Sequence, residues 1–252
     1  MNHATVLLQM DGLNILTDPI WSYRCSPLSF IGPRRRRPPG LRFEDLPPID
    51  VILISHNHYD HLDLPTLRSL AARDGPRILT GLGNREFLES RGIGKSQDLD
   101  WWEDADLGPG VRLRAVPAQH FSGRGLRDRD GSLWMGFVIT GGAGSVYFAG
   151  DTGFGPHFQE IRNRCGPARL ALLPIGAFQP EWFMSRVHLS PEEAIEAHRL
   201  LGAGTSMAIH FGTFQLADDG EDLPAERIRS ALHVHSNPAP RFWVPGFGEG
   251  RD

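Results

Sequence analysis

The chain has 252 residues and a formal net charge of −4 at pH 7, from 26 basic and 30 acidic side chains. This mild acidity argues against a protein that coats nucleic acid, and a content of 40% hydrophobic and 22% charged residues excludes a disordered or fibrous chain. The unusual feature is the presence of eleven histidines beside only two cysteines.

Strands and turns dominate the first part of the chain. Apolar runs at 5–10 and 13–16 flank Asp11 and Gly12, a dipeptide that strongly predicts a hairpin. Residues 21–48 are rich in Pro, Gly and Arg and lack periodicity, so they predict a long loop. The run VILIS at 51–55 is typical of a strand buried on both faces, and residues 64–73 predict a helix with Pro65 in its first turn.

The second part of the chain predicts further strands at 77–80, 111–117, 133–140, 145–149, 168–173 and 206–209. A helix is predicted to begin after Ser190, its N-cap, and to run toward Leu201 before Gly202. Neither a repeat nor a linker divides the sequence, so residues 1–252 are predicted to form one domain.

Polar residues with metal-binding side chains follow several of these strands. His56, His120, Asp151 and His210 each come directly after a predicted buried strand or within a few residues of its end. Because loops converge and ligands bind at the carboxyl edge of a sheet, we expect these side chains to lie close together.

The densest group is the run HNHYDH at 56–61, which offers four ligands in six residues. Imidazole and carboxylate ligands suit zinc. Residues 56 and 58 point the same way on an extended backbone, whereas residues 60 and 61 lie past the bend and can face a second point. One turn can therefore supply two metal ions. The competing interpretations are histidines with purely structural roles and a non-catalytic metal-binding protein.

The motif HxHxDH is followed later in the sequence by His120, Asp151 and His210. This pattern resembles that of the metallo-β-lactamase fold hydrolases. The stretches ILTDPIWSYRCSP, ILISHNHYDHLD, YFAGDTGFGPHF and HLSPEEAIEAH are similar to the branch that contains N-acyl-phosphatidylethanolamine-hydrolysing phospholipase D and its bacterial relatives. This resemblance implies an α/β (α+β) protein, built as a four-layer αββα sandwich of two mixed β-sheets.

The resemblance also implies two zinc ions per chain, with iron or manganese as the alternative metals. Seven residues match the family's ligands, in two sets of three and one bridge: His56, His58 and His120; Asp60, His61 and His210; and Asp151. A metal-bridging hydroxide would be the nucleophile, and Asp60 would orient it. His188 matches a histidine near the substrate, which implies a general acid or a hydrogen-bond donor. The alternative for His188 is a local packing role before the helix.

Residues outside the ligand set have weaker support. Arg124, four residues after His120, is predicted to bind the substrate phosphate. Asp18 and Asp63 are candidates to accept the second N–H of a metal-bound histidine, although Asp18 could instead cap a turn. His3 has no pattern that supports a role.

Two further groups have open interpretations. An arginine run either attracts an anionic phosphate or lipid surface or lies in a solvated loop: Arg34, Arg35, Arg36 and Arg37. An apolar group either lines a substrate groove or packs in the core: Phe178, Trp182, Phe183 and Met184.

The cysteine pattern and the apolar runs bear on location. Cys25 and Cys165 are far apart and outside any CxxC pattern, which fits a reducing cytoplasm. A signal peptide is not evident, and no apolar stretch approaches the length of about 18 residues that a membrane span needs. We therefore predict a cytoplasmic protein without a transmembrane segment. A peripheral membrane contact and the oligomeric state are left open.

The sequence thus predicts a zinc-dependent hydrolase, specifically a phosphodiesterase that acts on a small-molecule or lipid phosphodiester. A lactonase or other ester hydrolase on the same dinuclear site is one alternative. The alternatives from other classes are an oxidoreductase with a single iron and a non-catalytic metal-binding protein.

Overall fold

The computed structural model describes residues 2–234 and 240–251. Its first β-sheet has five strands in the order β1-β2-β3-β4-β5. The strands are β1 (Leu7–Met10), β2 (Leu13–Thr17), β3 (Val51–Ile54), β4 (Arg77–Gly81) and β5 (Ser96–Leu99). The pair β1 and β2 is antiparallel, as the Asp11–Gly12 turn predicts, and every other neighbouring pair is parallel. This sheet is therefore mixed.

The second β-sheet has seven strands within the described ranges, in the order β12-β11-β10-β9-β8-β7-β6. They are β6 (Asp104–Gly108), β7 (Val111–Val116), β8 (Gly136–Gly141), β9 (Gly144–Phe148), β10 (Leu170–Pro174), β11 (Thr205–Ile209) and β12 (Phe242–Trp243). The strands β6 to β9 pair antiparallel, and β9 to β12 pair parallel. The second sheet is also mixed.

The helices lie between the strands along the chain: α1 (Leu64–Arg73), α2 (Asn84–Glu89), α3 (His157–Cys165), α4 (Glu181–Met184), α5 (Pro191–Leu200) and α6 (Leu223–Val234). Helix α5 begins with the predicted N-cap, because Ser190 Oγ accepts from Glu193 N–H and the Glu193 carboxylate accepts from Ser190 N–H. Within the described ranges, no helix has the length and apolar character that crossing a bilayer requires.

The alternation of side chains along β3 shows how the layers are arranged. Val51 and Leu53 pack in a core shared with strands of the second sheet, including Phe137 on β8. Ile52 and Ile54 point the opposite way, into a core shared with α1 and α2. A third core lies between the second sheet and helices α3, α5 and α6. The order is helix, sheet, sheet, helix, so the predicted αββα sandwich is confirmed.

Several elements differ from the sequence prediction. Strands β5, β6 and β12 and helices α2, α3, α4 and α6 were not predicted. The strands and helices α2 and α4 are short, whereas α3 and α6 are amphipathic helices that the sequence analysis missed. The strand predicted at 133–140 begins only at Gly136. The preceding residues bond to the first sheet instead, since Leu133 N–H donates to Leu82 O and Met135 N–H to Ser55 O.

Candidate metal centre

The candidate ligands lie at one edge of the sandwich, beyond the ends of strands from both sheets. His56 follows β3, His120 follows β7, Asp151 follows β9 and His210 follows β11. The ends of β3 and β9 approach closely at Gly150, where φ is +62° and a Cβ atom would lie 2.5 Å from the Cβ of Ser55. Only glycine permits this approach, which brings the ligands of the two sheets together.

Three histidines form the first ligand group. His56 Nε2 lies 2.8 Å from His58 Nδ1, and His120 Nε2 lies 3.3 Å from the same His58 atom. His56 and His120 are buried and His58 is partly buried. Three imidazole nitrogens that converge at this spacing can bind one cation.

The second ligand group combines a carboxylate with two histidines. Asp60 Oδ2 lies 3.1 Å from His61 Nε2 and 3.3 Å from His210 Nε2. Asp151 Oδ2 lies 3.2 Å from each of these two nitrogens and 3.9 Å from His120 Nε2 in the first group. One carboxylate oxygen of Asp151 therefore lies beside both groups.

The side chains at this edge fit a pair of metal ions. Among the described residues, His61 Nε2 and Asp151 Oδ1 are buried and have no hydrogen-bond partner. Buried polar atoms normally have such a partner, and coordination to a cation would satisfy these two atoms instead. The donors are imidazole and carboxylate, which are suitable for zinc and also for iron or manganese.

The remaining nitrogens of several histidines are held by hydrogen bonds that aim the free nitrogen at the metal positions. Asp18 Oδ2 accepts from His61 Nδ1 at 2.6 Å and from Ser55 Oγ at 2.6 Å, and Ser55 Oγ lies 2.9 Å from His56 Nδ1. His120 Nδ1 lies 2.9 Å from the backbone oxygen of Val187. Asp18 is thus linked to both groups, whereas Asp63, the other candidate, bonds to Ser22 and Thr66.

The electrostatics of the second group favour positive charge. Burial opposes the charged imidazolium of His61, but Asp151, Asp60 and Asp18 outweigh it and raise the pKa of His61 well above its usual value. Burial likewise opposes the charge of Asp151, yet the neighbouring His210 and His61 hold the pKa of Asp151 well below its usual value. Three carboxylates around one imidazole would also stabilise a metal cation.

His188 lies beside both ligand groups without belonging to either set of three. Its Nδ1 is 3.8 Å from Asp151 Oδ2, and its ring centroid is 5.1 Å from that of His120. Burial lowers the pKa of His188 to about 4, so the ring is neutral at pH 7. A neutral ring suits the hydrogen-bond role better than the general-acid role. Within the described residues its Nδ1 has no hydrogen-bond partner.

Part of the Arg124 guanidinium is bonded to the backbone of the ligand-bearing turn. Its Nη1 donates to the backbone oxygens of Asn57 at 2.7 Å and Leu62 at 2.9 Å, and its guanidinium stacks 3.9 Å from the centre of the Tyr59 ring. Asn57 in turn accepts from Gly123 N–H. These contacts fasten the ligand-bearing turn, and the substrate-binding role of Arg124 stays a prediction.

The arginine run divides into different environments. Arg35 is buried; it donates to Asn2 Oδ1 and to the backbone oxygen of Ile20, and it stacks on the Phe214 ring, which the solvated-loop interpretation did not anticipate. Arg36 and Arg37 pair with Glu221 and Asp222, and Arg34 is exposed.

His3 contacts the second group, although the sequence pattern gives it no role. Its Nε2 lies 2.9 Å from Asp60 Oδ2. It lies far from the HNHYDH turn in the sequence, and no spacing signal connects the two. Only the packing of the chain start against the segment after β11 brings them together.

Comparison with known proteins identifies relatives over most of the chain. A family model described as "Beta-lactamase superfamily domain" matches residues 13–211. The N-acyl-phosphatidylethanolamine-hydrolyzing phospholipase D 1 of Caenorhabditis elegans is 40% identical over 94% of this chain and 70% of its own length. The mitochondrial N-acyl-phosphatidylethanolamine-hydrolyzing phospholipase D of Saccharomyces cerevisiae is 35% identical over 86% of this chain and 48% of its own length.

A solved structure supports the fold. The metallo hydrolase of the archaeon Ignicoccus hospitalis superimposes with a TM-score of 0.70 at 23% sequence identity. The match covers 98% of this chain and 94% of the archaeal chain.

Proposed function

The chain belongs to the β-lactamase superfamily as a metal-dependent hydrolase, and from this we propose that it hydrolyses a phosphodiester with two zinc ions bound at the site above. The observation that carries the proposal is the position of Asp151 Oδ2, 3.2 Å from His61 Nε2 and 3.9 Å from His120 Nε2. A carboxylate oxygen beside two ligand groups is what a bridge between two cations requires.

Each side chain of the site has a proposed task. The first group would hold one zinc ion. The second ion would be held by Asp60, His61 and His210, and Asp151 would contact both ions. Bound zinc lowers the pKa of its water toward ~7 and acts as a Lewis acid on a phosphoryl oxygen. Asp60 would also orient the attacking water, and the neutral His188 would donate a hydrogen bond to a phosphate or leaving-group oxygen from Nδ1.

The surface beside His188 supports a substrate with an apolar part. Trp182 and Phe183 on α4 are 82% and 63% exposed. His188 N–H donates to the backbone oxygen of Met184 at the end of this helix, so the exposed pair is close to the site. Phe178, by contrast, is buried. The apolar residues named in the sequence analysis therefore lie in two different environments, a core and an exposed surface. Together with the similarity to the two phospholipase D relatives, this exposed surface favours a lipid phosphodiester over a small polar one.

The long loop supports a peripheral contact with an anionic membrane. Phe30 and Ile31 are 75% and 58% exposed, and Tyr23 and Leu28 are exposed nearby. Arg24, Arg34 and Arg36 line an adjoining surface pocket of 430 Å³. Apolar side chains flanked by arginines can enter the headgroup region while the guanidinium groups meet lipid phosphates. A cytoplasmic location is part of the proposal, whereas the yeast relative is a mitochondrial protein by name.

The proposal is tested by metal analysis and a substrate screen. Protein purified without added metal should contain about two zinc ions per chain. It should cleave bis-p-nitrophenyl phosphate and an N-acyl phospholipid, while Asp151→Asn should be inactive and remain folded. Asp63→Asn is the matched control, because Asp63 contacts Ser22 and Thr66 rather than a ligand. Cleavage of a lactone panel alone would favour the lactonase, and a single iron without hydrolysis would favour the oxidoreductase.

The membrane contact has its own test. Sedimentation with phosphatidylglycerol vesicles should recover the wild-type protein. The double variant Phe30→Ser/Ile31→Ser should bind roughly 100-fold more weakly, because it removes about 3 kcal/mol of apolar burial in lipid. Leu82→Ser, which removes an exposed leucine outside the loop, should bind like the wild type. Equal binding by the wild-type protein and the double variant would contradict a contact through this loop.

A further inference from the structure

His3 is held firmly by backbone contacts with the segment that carries His210. Its N–H donates to Thr213 Oγ1 at 2.9 Å, and its carbonyl oxygen accepts from His210 N–H at 2.9 Å. Its residue surface is only 5% exposed. The backbone of His3 therefore fixes the peptide of one proposed ligand directly.

The side chain of His3 contacts two members of the second group, Asp60 and His210. Its Nε2 lies 2.9 Å from Asp60 Oδ2, the oxygen that also faces His61 Nε2 and His210 Nε2. Its ring centroid is 4.0 Å from that of His210, and the edge of its ring meets Phe214 at 5.3 Å. His3 therefore packs between the aspartate and the histidine of one group.

The hydrogen bond to Asp60 determines what His3 can do. An ionised carboxylate only accepts, so Nε2 of His3 must carry the proton and donate it. A nitrogen that donates to Asp60 has no lone pair to offer a cation. His61 Nε2 and His210 Nε2 differ in that each also lies 3.2 Å from Asp151 Oδ2, the oxygen beside both groups. Within the described residues the carboxylate contact of His3 Nε2 is with Asp60, which favours a hydrogen-bond donor to Asp60 over a fourth ligand.

We propose that His3 is a positioning residue for the second ligand group, which fixes the Asp60 carboxylate through Nε2–H and the His210 peptide through its carbonyl oxygen. This inference rests on the proposed function, because it requires a cation between Asp60, His61 and His210. Hydrogen-bond partners of metal ligands typically contribute 10–100-fold to metal affinity. Without the Nε2–H donor, the buried Asp60 charge loses a partner and its orientation is less restricted.

The position of the donor atom gives a sharp test. The side-chain amide nitrogen of glutamine can lie near the imidazole Nε2 position, whereas that of asparagine lies near Nδ1. His3→Asn should therefore weaken binding of one of the two zinc equivalents by roughly 10–100-fold, and His3→Gln should restore most of that affinity. The first equivalent should be unchanged in both variants. Affinities are measured by titration against a zinc chelator, and stoichiometry by elemental analysis of the dialysed protein.

A matched control separates this effect from the general cost of replacing a buried histidine. His198 is also buried, but its Nδ1 bonds to Ser206 Oγ on β11, away from the ligands. His198→Asn should bind both zinc equivalents with wild-type affinity. Circular dichroism of all variants shows whether each of them is folded.

Different failures have different meanings. If His3→Asn binds both equivalents like the wild-type protein, the positioning role is wrong while the proposed function stands. If folded His3→Gln is as weak as His3→Asn, the ring itself acts through packing or ligation, and the hydrogen-bond role is again wrong. If the wild-type protein binds fewer than two zinc ions, the dinuclear function fails and the His3 role fails with it.

Discussion

Asp18 offers the most direct test of how the metal centre is organised. It is fully buried just after β2, where Oδ1 accepts from Ser55 N–H at 2.7 Å. Oδ2 accepts from Ser55 Oγ and from His61 Nδ1, both at 2.6 Å. The substitution Asp18→Asn keeps the size of the side chain and replaces one of these accepting oxygens with a donating NH₂ group.

The hydrogen bonds determine which oxygen is replaced. The remaining oxygen of asparagine is expected to stay on the backbone N–H of Ser55, so that the NH₂ group faces His61 Nδ1. His61 must then accept at Nδ1 and carry its proton on Nε2, where it blocks a metal ion. The disturbance also reaches the first group, because Ser55 Oγ lies 2.9 Å from His56 Nδ1.

The expected loss of zinc affinity in Asp18→Asn follows from this unfavourable tautomer of His61. Loss of such a partner typically lowers metal affinity 10–100-fold, which corresponds to about 1.4–2.8 kcal/mol of binding free energy. We expect the larger loss at the second group, which His61 belongs to directly, and a smaller loss at the first group. Chelator competition resolves the two equivalents.

The control is Asp63→Asn, which alters another buried carboxylate whose partners are Ser22 and Thr66. It should lose stability without losing metal affinity. Wild-type zinc affinity in folded Asp18→Asn would refute the tautomer argument. Equal loss in both variants would show that general destabilisation, rather than the His61 hydrogen bond, lowers the affinity.

Three further predictions address other residues. His188→Ala should lower kcat while zinc content stays at the wild-type level, because His188 lies outside both sets of three; loss of zinc would contradict this placement. Arg124→Gln should lower the free energy of unfolding by about 1–3 kcal/mol, measured by urea denaturation, because it removes the bonds to Asn57 O and Leu62 O. A raised KM at unchanged stability would instead support a phosphate contact by Arg124. Burial lowers the pKa of His157 to about 4 from a usual 6.5. As the pH falls from 6.5 toward 4, the unfolded chain therefore binds a proton at His157 before the folded chain does, and the folded state loses stability. The wild-type protein should therefore lose about 2–3 kcal/mol more stability than His157→Gln between pH 7.5 and 4.5; equal losses would contradict a neutral buried His157.

The fold was predictable where the pattern along the chain is strong. The all-apolar β3 and the capped α5 were predicted at their correct places because burial on both faces and an N-cap leave local signals. Strand β5, with the sequence SQDL, lies at the edge of its sheet and has only one buried residue, so no comparable signal marks it. Leu133 and Met135 look like strand residues, but their partners belong to the other sheet.

The sequence by itself indicated candidate ligands, because the HNHYDH run is compact and His120, Asp151 and His210 follow predicted strands. The αββα architecture and the division of the ligands into two sets came from the resemblance to the metallo-β-lactamase fold hydrolases. The tertiary structure decided which side chains meet. It placed His210 3.3 Å from Asp60, joined Asp18 to both ligand groups, and turned Arg124 toward the backbone of the ligand turn. It also brought His3 to Asp60. These contacts depend on how the two sheets pack at Gly150 and on where the chain start lies. Neither arrangement can be inferred from the spacing of residues along the chain.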